Sequence, residues 1–116
     1  ESDFNIYTLA GTEIGVASTK AYNCQTSLLY LIANTLTKSS KKYNSAVSTI
    51  KKVFSNTELI KAVEGQIKPI VKELINIKNV YIIGRQADYL TAMEASLKLK
   101  EITYIHCEAY PAGELN

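Results

Sequence analysis

The chain has no uninterrupted apolar run approaching the length of a transmembrane helix. Its opening, Glu1-Ser-Asp-Phe4, has neither the basic end nor the apolar core of a signal peptide. The expectation is a cytoplasmic protein with no membrane partner. Charge of one sign is lacking as well: 13 basic residues against 11 acidic ones leave a net charge of +2. That is too little to suggest nucleic acid or a lipid surface as a partner, and the pairs Lys41-Lys42 and Lys51-Lys52 read as a solvated helix face. Cysteine is scarce, and Cys24 and Cys107 are far apart with no metal-ligand spacing, so reduced thiols and no metal are expected. Gly84-Arg-Gln-Ala-Asp88 is too sparse for a dinucleotide fingerprint and lacks the Lys-Ser/Thr of a P-loop. No cofactor is expected, and there is neither an internal repeat nor a low-complexity segment.

What is present is a soluble globular composition, 47% apolar and 21% charged, in 116 residues. The periodicity is that of an α/β fold. Residues 4–9 suit a short strand, followed by a loop with Gly11 and Gly15. Helical spacing of Leu28, Leu29, Ile32 and Leu36 predicts a helix over 18–36 with Ser18 as its N-cap. Lys38-Ser-Ser-Lys-Lys42 breaks it, a second helix suits 45–54, and Ser55-Asn-Thr-Glu58 turns into a third. In the third, Leu59, Val63, Ile67, Ile70, Val71, Leu74 and Ile75 form a stripe that Pro69 kinks or divides. Asn79-Val-Tyr-Ile-Ile-Gly84 is a continuous apolar run ending in glycine, as in a buried parallel strand. A glycine turn, a helix over 87–104 and a strand over 105–110 follow, which predicts a doubly wound parallel sheet flanked by helices. The chain opens inside a strand approach and stops at Gly113-Glu-Leu-Asn116, just after its most motif-rich stretch; a fragment is expected.

Two places invite chemistry. On the helix over 87–104, Glu94, Lys98 and Glu101 are spaced i, i+4 and i+7 and share one stripe. Leu90, Met93 and Leu97 flank it on one side, and Ala95, Leu99 and Ile102 on the other, with Ser96, Lys100 and Thr103 opposite. A charged stripe between apolar flanks should face the protein, leaving Ser96, Lys100 and Thr103 to water, and charges held there need partners or a ligand. An ordinary exposed Glu-to-Lys pair is the other reading, and the wheel alone does not separate the two. The second place is Ala10-Gly-Thr-Glu-Ile-Gly-Val-Ala-Ser-Thr-Lys20, where glycines, hydroxyls and a lysine precede a helix N-terminus. Free N–H groups there suit an anion, while a capped helix with no ligand explains the same residues.

Gly11-Thr-Glu-Ile-Gly-Val-Ala-Ser-Thr-Lys-Ala21 and Glu94-Ala-Ser-Leu-Lys-Leu-Lys-Glu-Ile-Thr-Tyr-Ile-His-Cys-Glu-Ala-Tyr-Pro-Ala-Gly-Glu-Leu115 closely resemble the isomerase region of the glutamine–fructose-6-phosphate aminotransferases, built from two sugar isomerase (SIS) domains. The resemblance extends over essentially the whole chain. It implies residues 1–40 as the end of the first SIS domain, 41–76 as connecting helices and 77–116 as the start of the second. It also implies a parent that makes glucosamine 6-phosphate from fructose 6-phosphate and glutamine-derived ammonia, carries a glutaminase domain and forms a homodimer. The isomerase step moves a proton between C1 and C2 of the open-chain sugar. Glu101 matches the residue assigned that shuttle, a role that suits a carboxylate because burial can raise its pKa towards neutrality. Lys98 and Glu94 match accompanying active-site positions; a cation there would stabilise an enediol-like intermediate or orient the carboxylate. Val16 and Ser18 match substrate-contacting positions, and Glu13 a nearby one with a polar role.

Several family parts have no counterpart in these residues. Neither Cys24 nor Cys107 matches the glutaminase nucleophile, and His106 sits one strand before the ring-opening histidine and reads as structural. The phosphate-binding loops would precede residue 1, and the imine-forming lysine lies far beyond residue 116. Asn116 stands where a lysine is common, and Gly84-Arg-Gln86 replaces a more glycine-rich turn. The isolated chain is therefore expected to be inactive. A glutaminase-free SIS isomerase or deglycase would keep the same base, and a regulatory SIS module that binds phosphosugars would not need Glu94, Lys98 and Glu101 together.

Overall fold

The computed structural model describes residues 2–114, so Leu115 and Asn116, at the end of the second motif, lie outside the described residues together with Glu1. The described chain runs α1 (Lys20–Leu36), α2 (Ser40–Phe54), α3 (Thr57–Leu74), β1 (Asn79–Gly84), α4 (Ala87–Thr103) and β2 (His106–Pro111). It divides into two compact units, one of residues 1–14 and 18–66, the other of residues 15–17 and 67–116.

In the first unit α1 packs against α2, and Ala46 of α2 is fully buried. Lys38, at φ +53°, turns the chain between them, and the Ser39 hydroxyl accepts the Lys42 N–H at 3.4 Å as the N-cap of α2. The Asn56 side chain accepts the Leu59 N–H at 3.0 Å at the start of α3. Ser18 does not cap α1: the helix starts at Lys20 with Thr19 at the N-cap, and no side chain at that position bonds back. Residues 4–9, expected as a strand, form none. A strand needs a neighbour's N–H and C=O groups, and among the described residues only β1 and β2 pair.

The helix α3 passes through Pro69 without dividing. Proline has no N–H to offer the carbonyl four residues back, which is that of Gly65. Both residues are exposed, so water can serve that carbonyl.

The second unit is built on β1 and β2, parallel and in register from Asn79↔His106 to Gly84↔Pro111. The connecting helix α4 packs on one face of the pair, as a parallel crossover requires. Along β1 exposure alternates, with Val80, Ile82 and Gly84 the more covered set. Tyr81 and Tyr110 share a face of the pleat and meet edge to face at 5.6 Å. Gly84 ends β1 against the first turn of α4, where a Cβ would lie 2.4 Å from the Asp88 carbonyl oxygen. No helix of the described residues is long and apolar enough to cross a membrane.

One face of α4 reverses the sequence expectation. Ser96, expected in water, is buried together with Ala92, and these small residues form the side turned to the strands. Their size is the reason: a helix can approach a strand closely only where its side chains are short. Lys100 is half-buried and Thr103 exposed. Around the rest of α4, Leu90, Met93, Leu97 and Ile102 stay exposed, which gives a helix apolar on more than one side.

Candidate active site

In α4 one helical stripe brings Glu94, Lys98 and Glu101 together, as their spacing predicts. The Lys98 ammonium donates to Glu101 Oε2 at 2.9 Å and lies 3.4 Å from Glu94 Oε1. The three side chains keep only 18%, 23% and 28% of their surface in water, for Lys98, Glu94 and Glu101 in turn. This is not the fully solvated pair of the simpler reading. The Lys61–Glu58 pair on α3, also three residues apart, leaves 72% and 82% of its side chains exposed. The hydrogen bond from Lys98 to Glu101, followed by the bond and charge of Glu94, holds the ammonium's pKa above the usual lysine value against the opposing effect of burial. Two carboxylates share one cation, so the cluster carries a net negative charge.

The loop of the first motif is organised by Glu13. Its Oε2 accepts the Ser18 hydroxyl at 2.7 Å, while Oε1 accepts the backbone N–H groups of Thr19 at 2.5 Å and Lys20 at 2.7 Å. The Lys20 ammonium folds back to the Thr12 carbonyl at 2.6 Å. A carboxylate from six residues upstream thus satisfies N–H groups that begin α1, and the anion suited to that helix end is a side chain of the chain itself. The Ser18 hydroxyl, ahead of the backbone N–H groups, draws the Glu13 pKa below the usual glutamate value. Val16 is exposed and belongs to the second unit, whereas Glu13 and Ser18 belong to the first. Nothing local in the sequence marked Glu13 as a cap, because caps are sought at the helix boundary itself.

His106 opens β2, and its Nε2 lies 3.8 Å from Glu108 Oε1, which the Lys100 ammonium also meets at 3.3 Å. That cluster is separate from the Glu101 stripe. Among the described residues no group of three or more His, Cys, Asp or Glu is placed to hold a metal ion. A groove of about 620 Å³ in the first unit is lined by Tyr7, Leu9, Cys24, Leu28, Leu31 and Phe54 among others, and has no carboxylate to do acid–base work.

Comparison with known proteins places the chain as a whole. The model of the SIS domain family matches residues 73–116. Glutamine–fructose-6-phosphate aminotransferase (isomerizing) of Caldanaerobacter subterraneus is 49% identical over 120 aligned positions, which take in 99% of this chain and 20% of that protein. The enzyme of the same name from Sulfurisphaera tokodaii is 44% identical over 98% of this chain and 18% of its own length. The C-terminal domain of glucosamine-fructose-6-phosphate aminotransferase from Francisella tularensis superposes with a TM-score of 0.83 at 35% identity, over 99% of this chain and 34% of that one. The chain spans about one fifth of the length of the relatives it matches. Residues 73–116 match the SIS domain family, and the chain as a whole is similar in sequence and in α/β fold to one stretch of the glutamine–fructose-6-phosphate aminotransferases.

Proposed function

We propose that this chain supplies part of the sugar-isomerising site of a parent enzyme that converts fructose 6-phosphate and glutamine to glucosamine 6-phosphate. The observation that carries the reading is the Glu94–Lys98–Glu101 cluster, withdrawn from water on a helix whose relatives are named for this isomerisation. Glu101 takes the proton from C1 or C2 of the open-chain sugar and returns it to the other carbon. Lys98, bonded to Oε2, fixes that carboxylate and places positive charge near the oxyanion of the enediol. Glu94 holds Lys98 from its other side. In the same parent, backbone groups at Val16 and the Ser18 hydroxyl contact the sugar, and Glu13 keeps Ser18 and the start of α1 in place. The parent carries a glutaminase domain, acts as a homodimer in the cytoplasm and needs no metal or cofactor. The chain alone is inactive, since the ring-opening and imine-forming groups are not among its residues.

The test is an assay of the full-length gene product with fructose 6-phosphate and glutamine. Formation of glucosamine 6-phosphate, abolished by Glu101→Gln in a protein that still folds, is the expected result. Wild-type turnover in Glu101→Gln refutes the shuttle. A product that isomerises phosphosugars but ignores glutamine overturns the aminotransferase and leaves a glutaminase-free isomerase.

A further inference from the structure

Among the described residues Ser96 is the one polar side chain that is buried, at 3% exposure. A serine inside a helix commonly turns its hydroxyl back to the carbonyl four residues earlier. Here that would be the carbonyl of Ala92, yet the Ser96 hydroxyl instead leaves the helix and donates to the Cys107 carbonyl of β2 at 2.7 Å. Cys107 is itself fully buried, so both ends of the bond are shielded from water.

We propose that Ser96 is a positioning residue for the Glu94–Lys98–Glu101 cluster, locking the rotation of α4 against β2 through its bond to the Cys107 carbonyl. The inference rests on the isomerase reading above. At about 100° per residue, Ser96 lies roughly 200° around the helix from Glu94 and from Lys98. The bond therefore stands at the back of the helix whose front carries the cluster. A side-chain carboxylate rides about 6 Å from the helix axis, so a rotation of about 10° moves it about 1 Å. A displacement of that size can cost on the order of a hundredfold in rate.

Besides the close approach of Gly84 to the first turn of α4, this bond is the buried directional contact that resists rotation. Apolar contact is non-directional, and the side of α4 facing the strands is made of short side chains. Among the described residues α4 and β2 are also linked by Lys100 and Glu108 at 3.3 Å, whose side chains are 40% and 44% exposed. An ion pair that open is screened and holds geometry weakly.

The full-length gene product carrying Ser96→Ala, Ser96→Thr or Glu101→Gln is assayed for turnover of fructose 6-phosphate, with thermal unfolding measured on each. Ser96→Ala is expected to lower kcat on the order of tenfold per folded enzyme with the KM for fructose 6-phosphate unchanged, because the sugar still binds while its base is misaligned. Ser96→Thr, which keeps the hydroxyl, recovers most of the loss. A Ser96→Ala protein that loses only thermal stability and keeps wild-type kcat overturns the inference. So does a Ser96→Thr protein with the wild-type melting point and the turnover of the alanine variant. Loss of activity in Glu101→Gln with wild-type kcat in Ser96→Ala sinks the positioning role alone. Wild-type activity in Glu101→Gln sinks the isomerase reading and this inference with it.

Discussion

Two glycine-to-alanine changes in this chain should have opposite signs. A Cβ on Gly84 would lie 2.4 Å from the Asp88 carbonyl oxygen, 2.5 Å from the Asp88 carbonyl carbon and 2.5 Å from the Tyr89 Cα. All three are backbone atoms of the first turn of α4, so no side chain can swing away. Comfortable contact needs about 3.5 Å, and the helix must retreat by about 1 Å from β1. Overpacking of this kind costs about 1–3 kcal/mol, and the stiffer unfolded chain returns about 0.4–1 kcal/mol. The net expectation for Gly84→Ala is a loss of about 1–2 kcal/mol. Gly65, inside α3, has nothing within 4 Å of its Cβ position. Gly65→Ala should gain about 0.5–1 kcal/mol from helix propensity alone. With a urea dependence of about 1–3 kcal/mol per molar, the Gly84→Ala midpoint falls by roughly 0.5–1 M while the Gly65→Ala midpoint rises by less. Urea unfolding followed by far-ultraviolet circular dichroism reads both. Midpoints that move the same way refute the close approach of β1 and α4.

Gln86 occupies φ +52° and ψ −120°, a conformation that suits glycine. Gln86→Gly should relieve strain and raise stability by about 1 kcal/mol, and an unchanged or lower melting point would refute the strain. Lys98→Met leaves Glu94 and Glu101 without their shared cation, and turnover in the full-length protein should fall on the order of a hundredfold; a wild-type rate contradicts the role given to Lys98. Because the folded Lys98 pKa lies above the ordinary lysine value of 10.5, its pairing stabilises fully below that value and is lost as pH rises through the folded one. The stability gap between wild type and Lys98→Met should accordingly hold through neutral pH and close only in strong alkali. Glu13 behaves in the opposite sense: its folded pKa lies below 4.5, so its cap contributes above that pH and is lost as pH falls through the folded value. Ser18→Ala should move the Glu13 carboxyl pKa back upward in a carbon-13 NMR titration, and no movement would show that the hydroxyl is not the main cause.

The parts of this fold that were legible in the sequence were set by local pattern. The spacing of Leu28, Leu29, Ile32 and Leu36 placed α1, and the apolar run into Gly84 placed β1, since each element's own residues carry the period. The cluster was legible for the same reason: Glu94, Lys98 and Glu101 meet because helix geometry brings i, i+3 and i+4 together. Pairing between distant segments was not legible. A strand at 4–9 had the right composition but no partner, and Glu13 reaches the start of α1 through a loop whose path no periodicity encodes. The packing face of α4 shows the difference most sharply. Helix polarity made the charged stripe the inner side, yet Ser96 and Ala92 meet the strands. Polarity ranks side chains by what they lose on leaving water, and Ser96 loses little once the Cys107 carbonyl accepts its proton. Closeness of approach ranks them by size, and against a parallel strand size prevailed. The stripe on the far side nevertheless remains mostly out of water, between exposed Leu90, Met93, Leu97 and Ile102. A helix that meets its sheet through small residues and carries partly sheltered charge on its back has two faces to satisfy. The buried Ser96 and the half-sheltered cluster therefore follow from one property of α4, polar groups on both of its faces that each need a partner.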